Sequence, residues 1–210
     1  MTQQDKQLIE PRRPIAIVRL DDLEEAIQIA HALSEGGIPT IEFTLTNQQA
    51  LQVMGKVQRE LGNAVLLGAG TVLDAESARA SVQAGARFLV TPAFLPDVIA
   101  VGRSHNLPVM CGAFTPTEIL AAWRAGANFV KVFPVGRLGP GYIKDILAPF
   151  PNIPLVPTGG VNLENCAAFL AAGAYTVAVG SQLVSKDIVA KKDWPALKEL
   201  ANQYEQQCRQ

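Results

Sequence analysis

Two charged residues sit in stretches that are otherwise apolar. Lys131 interrupts Asn128-Phe-Val-Lys-Val-Phe-Pro134, and Glu42 interrupts Pro39-Thr-Ile-Glu-Phe-Thr-Leu45. If each stretch is a β-strand, its side chains alternate between two faces. Lys131 then shares a face with Phe129 and Phe133, while Glu42 shares one with Thr40 and Thr44. Desolvation disfavours the charged form of an amine, and a neutral amine attacks a ketone to give a carbinolamine and then an imine. A carboxylate facing the same space can pair with that amine at rest, or shuttle protons once the imine has formed. The alternatives are a lysine that snorkels to the surface and a Lys–Glu pair that only stabilises. Fully buried lysine is rare, and buried pairs contribute little net stability, which favours chemistry.

Other residues suit an anionic substrate. Arg19 ends Ile15-Ala-Ile-Val-Arg19. It offers a planar fork for a carboxylate or phosphate, or is simply an exposed residue opening a loop. Pro157-Thr-Gly-Gly160 and Val179-Gly-Ser181 are glycine turns whose backbone amides could hold a phosphate, with Asn162 as a helix cap after the first. Gly68-Ala-Gly-Thr71 permits close approach and supplies a hydroxyl. His31 and His105 read as solvated or helix-packing side chains, and Cys111 as a packed thiol. With no His-x-His, Asp/His cluster or Cys-x-x-Cys, neither a metal nor another cofactor is expected, and Cys111, Cys166 and Cys208 read as reduced thiols.

The elements that must place these residues alternate along the chain. Short apolar runs occupy Ile15–Arg19, Pro39–Leu45, Ala64–Gly70, Arg87–Thr91, Pro108–Gly112, Asn128–Phe133, Ile153–Pro157 and Tyr175–Val179. Their weak apolar/polar alternation predicts burial on both faces, as in a parallel sheet covered by helices. Leu23, Ala26, Ile27 and Ala30 form a helical stripe after Asp21-Asp22. Helix-stopping glycines recur at Gly36, Gly85, Gly126 and Gly173. Each interval spans roughly two strand–helix units, and positive φ suits glycine at such stops. Eight units at about 26 residues each predict one domain over 1–210, a closed (β/α)8 TIM barrel, with an open doubly wound sheet as the competitor. Residues 2–10 predict an extra N-terminal helix, and Lys186–Gln210 a polar terminal one. In a barrel, Lys131, Glu42, Arg19 and the glycine turns fall at the C-terminal ends of strands, where such folds place their active sites.

Composition narrows the function classes. Eighteen basic against nineteen acidic residues give a formal net charge of −1, and no Lys/Arg block occurs. Neither nucleic acid nor a membrane surface is an expected partner. The polar start Met1–Glu10 lacks a signal-type apolar run, so a cytoplasmic location is expected.

Five segments now combine: Gly36-Gly-Ile-Pro-Thr-Ile-Glu-Phe-Thr-Leu-Thr46, Gly68-Ala-Gly-Thr-Val-Leu73, Val130-Lys-Val-Phe-Pro134, Pro157-Thr-Gly-Gly-Val161 and Val179-Gly-Ser181. In this order and spacing they resemble the 2-dehydro-3-deoxy-phosphogluconate aldolase / 4-hydroxy-2-oxoglutarate aldolase (KDPG/KHG aldolase) family, across about residues 12–185. The resemblance implies a (β/α)8 barrel, a homotrimer and a metal-independent class I aldolase. It places Lys131 on the Schiff-base lysine and Glu42 on the general acid/base. Thr71 and Thr158 fall on contacts to the pyruvate carboxylate or nearby hydroxyls, Phe133 and Pro92 on pocket walls, and Gly159, Gly160, Gly180 and Ser181 on phosphate-binding loops. Some members carry an arginine four residues after the glutamate, where this chain has Thr46. Others carry one at the end of the first strand, as with Arg19 here. Many have glycine where this chain has Ala93. Both departures bear on substrate preference.

The expected reaction is reversible cleavage of 2-dehydro-3-deoxy-6-phosphogluconate to pyruvate and glyceraldehyde 3-phosphate. The rivals are the 6-phosphogalactonate epimer, 4-hydroxy-2-oxoglutarate, a phosphate-binding isomerase or epimerase barrel, and a sugar-phosphate binding module without turnover.

Overall fold

A computed structural model describes residues 8–209. Its eight parallel strands are β1 (Ile15–Val18), β2 (Thr40–Thr44), β3 (Leu66–Gly70), β4 (Phe88–Val90), β5 (Val109–Ala113), β6 (Phe129–Val132), β7 (Leu155–Pro157) and β8 (Ala178–Val179). They pair in the order β7-β6-β5-β4-β3-β2-β1-β8, and a parallel bridge from Thr158 to Ala178 closes the ring. The architecture is therefore the (β/α)8 barrel, not the open sheet. The runs are longer than the strands because their ends bond outside the regular ladder, as Tyr175 N–H does to Leu155 O at 2.9 Å.

Helices α1 (Ala26–Glu35), α2 (Ala50–Leu61), α3 (Ala75–Gln83), α4 (Pro96–Ser104), α5 (Pro116–Ala125), α6 (Gly139–Leu147) and α7 (Cys166–Ala171) alternate with the strands, and α8 (Lys186–Ala190) and α9 (Trp194–Arg209) complete the chain. Local chemistry sets their ends. Asp74 accepts from Ser77 N at 2.7 Å to start α3, and Thr115 and Glu118 form a reciprocal capping box on α5. Gly37, Gly85, Gly126 and Gly173 all take positive φ after their helices. At the first stop the left-handed residue is thus Gly37, not Gly36. Gly36 is small for another reason: a Cβ there would strike Lys198 O and Ala201 of α9.

Three further expectations change. In α1 the fully buried face is Ala26, Ile29, Ala30, Ala32 and Leu33, with Ile27 at its margin, because the helix starts three residues after Leu23. The terminal helix is two helices. Lys192 adopts φ 51 after α8, and Asp193 Oδ1 accepts from Ala196 N at 3.1 Å to begin α9. Of the expected helix over 2–10, residues 2–7 lie outside the described residues, and residues 8–10 are not helical. Ile9 instead fills the barrel floor, its carbonyl accepting from Tyr175 Oη–H at 2.8 Å.

Side-chain parity separates two cores. Ala16, Ile41, Leu67, Leu89, Val109, Val130 and Leu155 face the helices, whereas Ile15, Ile17, Phe88, Val90, Met110, Phe129, Val156 and Ala178 fill the lumen. Among the described residues no helix is long and apolar enough to cross a membrane.

Candidate active site

The lumen holds two charged residues. Lys131 is 2% exposed and Glu42 is fully buried. Parity puts Lys131 inside with Phe129, and Val130 and Val132 outside, as the alternation predicts. Strands β2 and β6 stand four apart in the eight-stranded ring, so the two side chains enter from opposite walls. Both Glu42 oxygens are buried without a hydrogen-bond partner, and no ion pair joins Glu42 to Lys131 among the described residues. The resting ion pair allowed by the sequence is therefore not formed. The Lys131 amine instead lies over the Phe133 ring, 5.2 Å from its centroid. An unsatisfied buried carboxylate is costly. Such a cost, together with a lysine held against an aromatic face, marks a functional site rather than a stabilising pair.

Three inward glycines shape the space around these groups. Lys131 pairs in register with Gly112, and Glu42 with Gly68. A Cβ on Gly70 would fall on the Glu42 carboxyl, one on Gly68 would fall on the Phe88 ring, and one on Gly112 would fall on the backbone of Pro92 and Ala93. Pro92 is thereby held beside the Lys131 strand. Thr71 follows β3 with φ 55, strained for a β-branched residue at about 1–3 kcal/mol, and is half-buried at the rim.

The turns after β7 and β8 form a cavity of about 160 Å³. Seven residues singled out in the sequence line it: Arg19, Phe133, Thr158, Gly159, Gly160, Gly180 and Ser181. Lys131, Glu42, Thr71 and Pro92 do not. Phe133 links the two regions, with one face under the Lys131 amine and its edge packed on Gly159. Gly159 and Gly160 have φ of 81 and 88. Asn165 Nδ2 donates to Gly160 O at 2.9 Å, steadying the turn. Asn162 does not cap α7 as expected. Its Oδ1 accepts from Glu164 N and Asn165 N in the turn before that helix, because α7 starts later, at Cys166. Arg19 is exposed and also borders a second cavity of about 680 Å³ lined by Thr46, Asn47 and Gln48. The arginine at the end of β1 and the threonine at position 46 thus share one space.

Sequence reasoning missed Gly136, Gln182 and Thr91. Gly136 and Gly160 approach so closely that a Cβ on either would meet the other's Cα. Gln182 lines the cavity beside Ser181. Thr91 is a buried hydroxyl next to Pro92. Only Gln182, adjoining a recognised turn, carried any signal. Cys111 is a packed thiol as expected, and burial pushes its pKa up.

Residues 6–200 match the family model described as KDPG and KHG aldolase. The chain is similar to the 2-dehydro-3-deoxy-phosphogluconate aldolase of Treponema pallidum (strain Nichols), 36% identical over 196 residues covering 93% of each chain. It is also similar to the 2-dehydro-3-deoxy-6-phosphogalactonate aldolase of Escherichia coli (strain K12), 35% identical over 170 residues, 80% of this chain and 83% of the other. Among solved structures, the KDPG aldolase of Legionella pneumophila with pyruvate captured as a covalent carbinolamine intermediate matches with a TM-score of 0.86. It is 28% identical, over 96% of this chain and 97% of that one.

Proposed function

Because the chain belongs to the KDPG and KHG aldolase family and is therefore an aldolase, we propose that it reversibly cleaves 2-dehydro-3-deoxy-6-phosphogluconate through an imine on Lys131, without a metal. The products are pyruvate and glyceraldehyde 3-phosphate. The observation that carries this reading is a buried lysine amine without a counter-ion among the described residues, in a lumen that also holds the Glu42 carboxylate, itself unpartnered among them.

The neutral Lys131 amine adds to the C2 ketone, and loss of water from the carbinolamine leaves a protonated imine. That imine accepts the electron pair of the C3–C4 bond as it breaks, giving an enamine. Glu42, through a water, takes the C4 hydroxyl proton as the aldehyde forms, and later returns a proton to C3 of the enamine. Hydrolysis releases pyruvate and frees the amine. Arg19, Thr71 and Thr158 hold the carboxylate and neighbouring hydroxyls, while Phe133 and Pro92 wall the imine from water. The amides of Gly159, Gly160, Gly180 and Ser181 hold the phosphate, a role supported by the cavity these turns enclose. A cytoplasmic homotrimer is the proposed form. 4-Hydroxy-2-oxoglutarate, cleaved to pyruvate and glyoxylate, would react at the same lysine without using the phosphate turns.

A second reading, the 6-phosphogalactonate epimer as substrate, is favoured by Arg19 bordering the space beside Thr46 and by the Escherichia coli relative. The test is borohydride trapping with pyruvate, followed by intact mass and peptide mapping. One reduced adduct on Lys131 is expected, and folded protein without it would rule out the imine. A panel of the two C4 epimers then separates the substrates.

A further inference from the structure

A single hydroxyl fastens the turn that follows β4. Thr91 is fully buried. Its Oγ1–H donates to Ala93 O at 2.7 Å, and the same oxygen accepts the Gly112 N–H at 3.0 Å. Gly112 is the register partner of Lys131. Since a Cβ on Gly112 would land on the backbone of Pro92 and Ala93, the turn lies against β5 at the strand position that pairs with Lys131. Thr91 also lies 3.6 Å from the thiol of Cys111, which is itself 3.6 Å from Ala93 O. A thiol is a weak donor and does not replace the hydroxyl. Without that hydroxyl the buried Gly112 N–H loses its acceptor and the Pro92 turn loses its tether.

We propose that Thr91 is a positioning residue for the aldol chemistry. It holds the Pro92 wall against β5 and so fixes the direction from which the C2 ketone meets the Lys131 amine. The inference rests on the imine reading of Lys131. A displacement of about 1 Å at such a wall costs about 100-fold in rate. The phosphate turns follow β7 and β8 and take no part in this tether, so the effect is confined to the keto-acid half of the site.

The experiment compares wild type, Thr91→Val and Thr91→Ser by the rate of borohydride-trapped pyruvate adduct formation, kcat and KM for cleavage, inhibition by inorganic phosphate, and Tm. Thr91→Val should slow adduct formation and lower kcat about 100-fold, with phosphate inhibition unchanged, and Thr91→Ser should restore both. Trapping by Thr91→Val at the wild-type rate, equal damage to phosphate inhibition, or no restoration by serine each overturns the proposal. Should Thr91→Val not fold, Thr91→Cys keeps a weakened donor and acceptor and must show the same split on a smaller scale; its absence counts against Thr91. A wild type that traps no pyruvate overturns the imine reading itself, an outcome distinct from a wild type and a valine variant that trap alike.

Discussion

The two ends of the barrel differ in how they hold their most costly buried groups. At the N-terminal end, hydrogen bonds tie polar side chains to the backbone. Thr176 Oγ1–H donates to Arg13 O at 2.5 Å, Tyr175 Oη–H donates to Ile9 O at 2.8 Å, and Asn128 Oδ1 accepts from Val109 N at 2.9 Å. The Phe129 and Tyr175 rings pack 5.1 Å apart across the same floor. Toward the C-terminal end, Glu42 has no partner among the described residues, Lys131 rests on an aromatic face, and Thr71 takes a strained φ. Satisfied polar groups stabilise a fold, whereas unsatisfied ones are kept where a substrate or intermediate completes them. The floor therefore reads as structure and the mouth as chemistry, the division expected of such barrels.

The largest effect that would sharpen this contrast is at Lys131. Lys131→Met keeps the volume and removes the amine; it should abolish pyruvate release and adduct formation while leaving Tm unchanged or higher. A large drop in Tm would make Lys131 a structural residue and break the contrast. Next comes Glu42→Gln, expected to lower kcat by about 10²–10⁴-fold in a steady-state assay, the range for a lost general acid/base, again without loss of Tm. At the rim, Gly160→Ala forces a Cβ onto Gly136 at φ +88. A lost hydrogen bond to a charged group is worth about 1.5–3 kcal/mol, so KM for the phosphorylated substrate should rise about 10–100-fold. KM for 4-hydroxy-2-oxoglutarate should change little, since it has no phosphate to lose.

What could be read in the sequence follows from where each signal is stored. A charge inside an apolar run is local information, so Lys131 and Glu42 stood out, and period-two parity correctly sent Phe129 inward and Val130 outward. The break between α8 and α9 was also local: Asp193 before Trp194-Pro195 is a cap followed by a helix-starting proline. Thr91 is different. A threonine ending an apolar run is ordinary, and its decisive partner, the Gly112 N–H, lies 21 residues away on the next strand. Gly136 is hidden for the same reason, because its constraint comes from Gly160 across the rim. Gly36 and Gly37 look alike in sequence and separate only once α9 lies on one and positive φ falls on the other.

The smallest expected effect tests the floor. Thr176 is fully buried, and its hydroxyl donates to Arg13 O. Thr176→Val keeps the shape and removes the donor, leaving that carbonyl without this bond. The loss should be about 1–3 kcal/mol of stability. For a chain of this size each kcal/mol lowers Tm by about 2–4 °C. Because the hydroxyl lies at the far end of the lumen from the Lys131 amine, kcat and KM at 25 °C should match wild type. Calorimetry and a steady-state assay on the same preparation check both halves of this expectation. A valine variant as stable as wild type but slower in turnover would reverse the roles of floor and mouth, since a partnered group would then serve chemistry at a distance. A variant that loses stability alone would assign the Thr176 hydroxyl to the fold and leave the chemistry to the mouth.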